Sequence, residues 1–129
     1  MKKNEIKYYL PSLLLAFVIT YGSLKPGGTD SPFKFLDIEI SDKILHGSFY
    51  FLLAISLLLP IILHNIKIHL KEIIILLLVF VYGLLMEGIQ YFFIESRSGD
   101  FLDIIANAAG IILAYFVYIA SKKWHYKQA

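Results

Sequence analysis

Four apolar stretches, separated by short polar or glycine- and proline-bearing connections, lay out this chain. From Tyr8 to Gly22 the sequence is apolar except at Pro11, Ser12 and Thr20, and the segment extends over residues 6–24. As a helix it is roughly 28 Å long, close to the hydrocarbon core of about 30 Å. A basic head, MKKNEIK, precedes it as in a signal peptide, but no A-x-A-type cleavage site follows, so a retained first span is expected. Pro26, Gly27, Gly28 and Pro32 then interrupt any helix, and Phe33, Phe35, Leu36, Ile38 and Ile40 alternate loosely with polar residues. That pattern predicts an interfacial loop, with Ser41 or Asp42 capping a second span over residues 43–63. A basic turn, HNIKIHLK, leads to a third span over 73–94. The polar loop ESRSG and a cap at Ser98 or Asp100 open a fourth over 100–121. The expected fold is all-α, an integral membrane four-helix bundle forming one domain over 1–129.

Composition supports this reading. The chain has 129 residues, is 58% hydrophobic and has a mean hydropathy of +0.69, more apolar than a soluble domain of this size tolerates. Without cysteine, disulfides, thiolate catalysis and cysteine-ligated metals are excluded. The net charge of +2 matters less than its placement. Lys2, Lys3 and Lys7, then Lys67 and Lys71, then Lys122, Lys123 and Lys127 fall on one side of a four-span chain. Lys25, Lys34 and Arg97, accompanied by acids, fall on the other. The positive-inside rule then puts both termini in the cytoplasm. Tyr8, Tyr9, Trp124 and Tyr126 are expected at the membrane interfaces.

Polar residues inside the spans carry the candidate chemistry, because a charge at mid-membrane costs several kcal/mol unless it is paired or functional. On this topology His46 and Asp103 lie about 4.5 Å from the outer ends of their helices, and Glu87 and Asn107 about 10 Å. The three later spans thus contribute to one polar cluster in the outer half of the bilayer, and no comparable group is expected in the inner half. Helical spacing agrees: Asp42, His46 and Tyr50 share a face, bordered by Lys43; Gly83, Glu87, Gln90 and Tyr91 share another. Asp100, Asp103, Asn107, Gly110 and Ala114 form a stripe on the fourth span. Each group also has a structural alternative: His46 locking helices to Glu87 or Asp103, Gln90 and Asn107 as interhelical glue, and Asp100 as a cap. Lys43 and Arg97 either neutralise these acids or bind phosphate.

DKILHGSFYFLLA (Asp42–Ala54) resembles the DK-x-x-H-x-x-x-Y/F opening of VanZ-like membrane proteins. Gly83, Glu87 and Gln90 match that family's G-x-x-x-E-x-x-Q, and Arg97, Asp103, Asn107 and Gly110 its R…D-x-x-x-N-x-x-G. Ala114 stands where the family often has another glycine. The resemblance implies a bacterial cytoplasmic membrane and an envelope-related role, the family being named for an accessory determinant of teicoplanin resistance. It supplies no proven catalytic residue.

The expected function is binding or masking of a lipid-linked cell-wall precursor or other envelope component, or of the glycopeptide itself. Asp42, Lys43, His46, Tyr50, Glu87, Gln90, Arg97, Asp103 and Asn107 are the expected ligand-binding residues. An intramembrane hydrolase or transferase is the alternative, with Glu87 or Asp103 as base or nucleophile and His46 as acid/base partner. A small proton-coupled transporter using Glu87 and His46 is a second, weakened by four spans without an inverted repeat. HExxH and paired-histidine spacings are absent, so neither metal nor cofactor is expected. Membrane lipids are expected partners, a homo-oligomer is compatible, and nucleic acid is not expected.

Overall fold

A computed structural model describes residues 6–24, 38–63, 71–94 and 100–128, and these are all helical apart from Ile94 and Asp100 at helix ends. A short 3-10 turn, Ile6–Tyr9, leads into α1 (Leu10–Leu24); α2 (Ile38–Leu63), α3 (Lys71–Phe93) and α4 (Phe101–Gln128) follow. Three helices contain stretches long and apolar enough to cross a membrane: Asp42–Leu63, Glu72–Phe93 and Phe101–Lys127. The α-helical part of the first segment is shorter than expected, 15 residues or about 22 Å. Pro11 is the reason: it has no N–H to continue an i→i−4 ladder back to Lys7, so the preceding residues tighten into a 3-10 turn.

Two further element ends differ from the sequence expectation. α2 begins at Ile38, so Ser41 and Asp42 lie within the helix and do not cap it. No helix breaker stands between Pro32 and Asp42, and the helix takes up the added turn. At the other end of the chain, α4 runs on through the basic tail to Gln128, where no glycine or proline stops it. The cap at Asp100 forms as expected. Its side chain accepts from the Leu102 N–H at 2.9 Å, and its carbonyl accepts from Asp103 N–H at 3.0 Å. Ser98, the other candidate cap, lies outside the described residues.

Glycines bring α2 and α4 into the most extensive helix contact of the bundle. A Cβ on Gly47 would lie 3.2 Å from the Ala106 carbonyl oxygen, and one on Gly110 would overlap the Gly47 carbonyl. Only bare backbone allows that approach, as in other close membrane helix pairs. Around the seam, Tyr50, Leu53, Ala54, Val79, Met86, Ile111 and Ala114 form one buried core, continued by Leu58, Ile61, Ile62 and Tyr118. α1 joins through small polar contacts: Ser56 to Ser12 at 3.0 Å and Tyr82 to the Ala16 carbonyl at 2.8 Å. The outer surface is a coat of leucine, isoleucine and phenylalanine, with Phe92 and Phe93 76% and 80% exposed. In water such a surface would aggregate; in lipid it is solvated.

Candidate functional site

The sequence stripes meet where the start of α2, the end of α3 and the start of α4 come together. Asp103, Asn107, Gly110 and Ala114 are all buried, so the stripe on α4 faces inward. Glu87 is likewise buried, and its Oε1 lies 3.4 Å from His46 Nδ1. The second histidine nitrogen, Nε2, lies 3.9 Å from Asp42 Oδ1 one turn earlier. Lys43 reaches across to α4, donating to Asp100 Oδ2 and Asp103 Oδ1, each at 2.5 Å. The hydrogen bond from Lys43, helped by the Leu102 N–H, holds the Asp100 carboxyl below its ordinary range.

Tyr50 closes the cluster toward the membrane interior. It is 2% exposed, and a Cβ at Gly83 would lie 3.0 Å from its ring and 3.5 Å from Asn107 Nδ2. Gly83 therefore admits both the ring and the amide. Yet among the described residues neither the Asn107 side-chain nitrogen nor its oxygen has a hydrogen-bond partner, and neither does Glu87 Oε2. Buried polar atoms left unpaired cost about 1–3 kcal/mol each, so the cluster is poorly explained as glue alone.

Not every expected residue joins it. Gln90 donates from Nε2 to the Ser23 carbonyl at 3.2 Å, satisfying one of the free carbonyls at the end of α1. It therefore ties α1 to α3. Tyr91 does not share the buried face as its spacing suggested: it is 65% exposed and packs edge-on to Phe92. Its position, one residue past Gln90, turns it beyond the edge of the inward face. Arg97 lies outside the described residues.

Two features were not legible in the spacing. Asp42, His46 and Asp103 offer ligand atoms that all lie within 4.8 Å of one another. Sequence motifs for metals look along one helix, and this group draws on two. The opposite end of the bundle also holds a polar network, where no group comparable to the outer cluster was expected within the spans. There Lys122 Nζ pairs with Glu72 at 2.8 Å, and the buried Tyr118 hydroxyl donates to the same carboxylate. Glu72 opens α3 just before the apolar run begins, which placed it outside the expected span.

Two hollows border the site. One, about 280 Å³, lies between α1 and α2 and is lined in part by Asp42, His46 and Tyr50. The other, an apolar groove of about 740 Å³ along the α2–α4 seam, has Lys43 at its polar margin and Gly47, Phe51, Ala109 and Leu113 along it.

An all-helical membrane protein with a buried, multi-helix polar cluster is thus defined. The VanZ/LLP1 family profile matches residues 7–122, and the chain belongs to that family. No curated protein and no solved structure matches the chain significantly.

Proposed function

We propose that this VanZ-like membrane protein holds a lipid-linked component of the bacterial cell envelope and shields it, thereby contributing to glycopeptide resistance. One observation carries the reading: a polar cluster with unpaired buried atoms on Glu87 and Asn107 sits beside an apolar groove that has Lys43 at its margin. A head group is served by the cluster and a hydrocarbon chain by the groove, the division that an amphiphile requires. Placing both termini in the cytoplasm, on the lysine distribution, turns the cluster toward the outer face, where envelope precursors are used.

The His46–Glu87 contact at 3.4 Å favours a second reading, acid/base chemistry on the same head group. Cells carrying Glu87→Gln or His46→Ala separate these readings from a structural role when membrane abundance and teicoplanin susceptibility are read together. The expected result is normal abundance with raised susceptibility in both variants. Lost abundance would make the cluster a structural lock, and a deletion strain with unchanged susceptibility would end the resistance reading. Purified Glu87→Gln that keeps lipid binding but loses turnover would favour catalysis.

A further inference from the structure

Counted over the described residues, the charge of the cluster does not suit a phosphate-bearing head group unaided. Among the described residues four carboxylates, Asp42, Glu87, Asp100 and Asp103, gather around one lysine and one histidine. Among the described residues Lys43 is the cation a phosphate would seek, and two of those carboxylates already engage it. We propose that Asp42, His46 and Asp103 bind a divalent cation of the Mn²⁺ or Zn²⁺ type, and that this ion makes an acidic cluster receptive to phosphate. The ion site stands on the cluster alone; its service to a head group rests on the function proposed above.

The donor set fits such an ion. One imidazole with two carboxylates suits a borderline divalent metal, and the remaining coordination positions suit water or phosphate oxygen. Two ligands each about 2.1 Å from a shared ion lie roughly 3–4.2 Å apart. The 3.9 Å between His46 Nε2 and Asp42 Oδ1 is too long for a hydrogen bond but falls within that range. Asp103 stands on α4 within 4.8 Å of both, a few tenths of an ångström of side-chain closure from that range, and Lys43 engages only its Oδ1.

Glu87 provides the independent observation. Its Oε1 lies 3.4 Å from His46 Nδ1, a contact slightly longer than a formed hydrogen bond, on the side of the ring away from Asp42. A carboxylate accepting from one ring nitrogen, while the other nitrogen meets a metal, is the arrangement that fixes the tautomer of a ligating histidine and raises its basicity. Glu87 is 4% exposed, and its Oε2 has no partner among the described residues. A helix lock built from the same residues would satisfy that oxygen.

The test is Mn²⁺ binding to the purified full chain in detergent, with no lipid ligand added, followed by electron paramagnetic resonance. The wild type should remove free Mn²⁺ with saturation at one ion per chain, and the bound spectrum should carry a nitrogen modulation from His46. Glu87→Gln should weaken binding by about 10–100-fold. Asp42→Asn and His46→Gln should weaken it further, with the nitrogen signal lost in the latter. Glu72→Gln, at the opposite end, should bind as the wild type does. Absence of saturable binding by the wild type at millimolar Mn²⁺ overturns the site, whatever the variants do. So does binding that Asp42→Asn and His46→Gln, folded by circular dichroism, leave unchanged. Because no lipid is present, the head-group reading can fail while the ion site stands, and the reverse.

Discussion

The two ends of the bundle handle buried polarity in opposite ways. At one end Glu72 is answered by Lys122 and by the Tyr118 hydroxyl, and among the described residues no buried side-chain polar atom there lacks a partner. At the other, Asp42, His46, Glu87, Asp103 and Asn107 converge from three helices, and three side-chain atoms remain unpaired. The same membrane solvent surrounds both. A satisfied network lowers the cost of its own burial, whereas an unsatisfied one calls for a water, an ion or a ligand to complete it. The comparison therefore separates an anchor from a site.

The largest expected effect comes from prying open the seam that both ends share. Gly110→Val places a branched side chain against the Gly47 carbonyl, backbone that cannot swing aside. A loss of about 3 kcal/mol is expected, read as a lower melting temperature in detergent, with Mn²⁺ binding lost as Asp103 moves away from His46. Retained binding despite the separation would show that the two-helix ligand set is wrong.

A smaller contrast distinguishes the ends directly. Tyr118→Phe removes a donor from a completed network and should cost about 1 kcal/mol. Asn107→Leu removes two unpaired buried groups and should leave stability level or raise it by about 1 kcal/mol, while abolishing the phenotype. Thermal melts of both proteins beside the wild type provide the check. If Asn107→Leu destabilises more than Tyr118→Phe, the amide is structural and the contrast collapses.

The smallest effect concerns acid. The Asp100 carboxyl titrates below its ordinary range because Lys43 donates to it. Its stabilising contribution is thus present above the unfolded carboxylate range and is lost as the pH falls through the lowered folded value. With the side chain 40% exposed, screening keeps the effect slight. Melting curves taken from neutral pH down to about pH 3, the acid side of the ordinary carboxylate range, should show Asp100→Asn flattening a shallow acid-side decline and leaving the neutral plateau little changed.

Much of the architecture could be read from apolar run lengths, since backbone groups in lipid must bond within their own segment and long apolar runs have little choice but helix. The cluster was legible for a related reason: residues spaced three and four apart share a helix face, so His46, Glu87, Asp103 and Asn107 declared their inward direction. Helix ends were less legible. Ser41 and Asp42 are good caps by type, yet the chain entered α2 earlier and left Asp42 beside His46 instead. Tyr91 failed for a similar reason, being one residue too far around the helix to stay inside.

By itself, then, the sequence determined four helical segments and which faces carry their polar residues, because these follow from local bonding and a 3.6-residue period; it read all four as spans, whereas among the described residues three helices are long and apolar enough to cross. Partner choice belongs to the tertiary structure alone. That Lys43 is held by Asp100 and Asp103, that Gln90 serves the end of α1, and that Glu87 backs His46 depend on how closely helices cross. Two glycines on different helices set that distance, and spacing along one chain does not encode a separation between two.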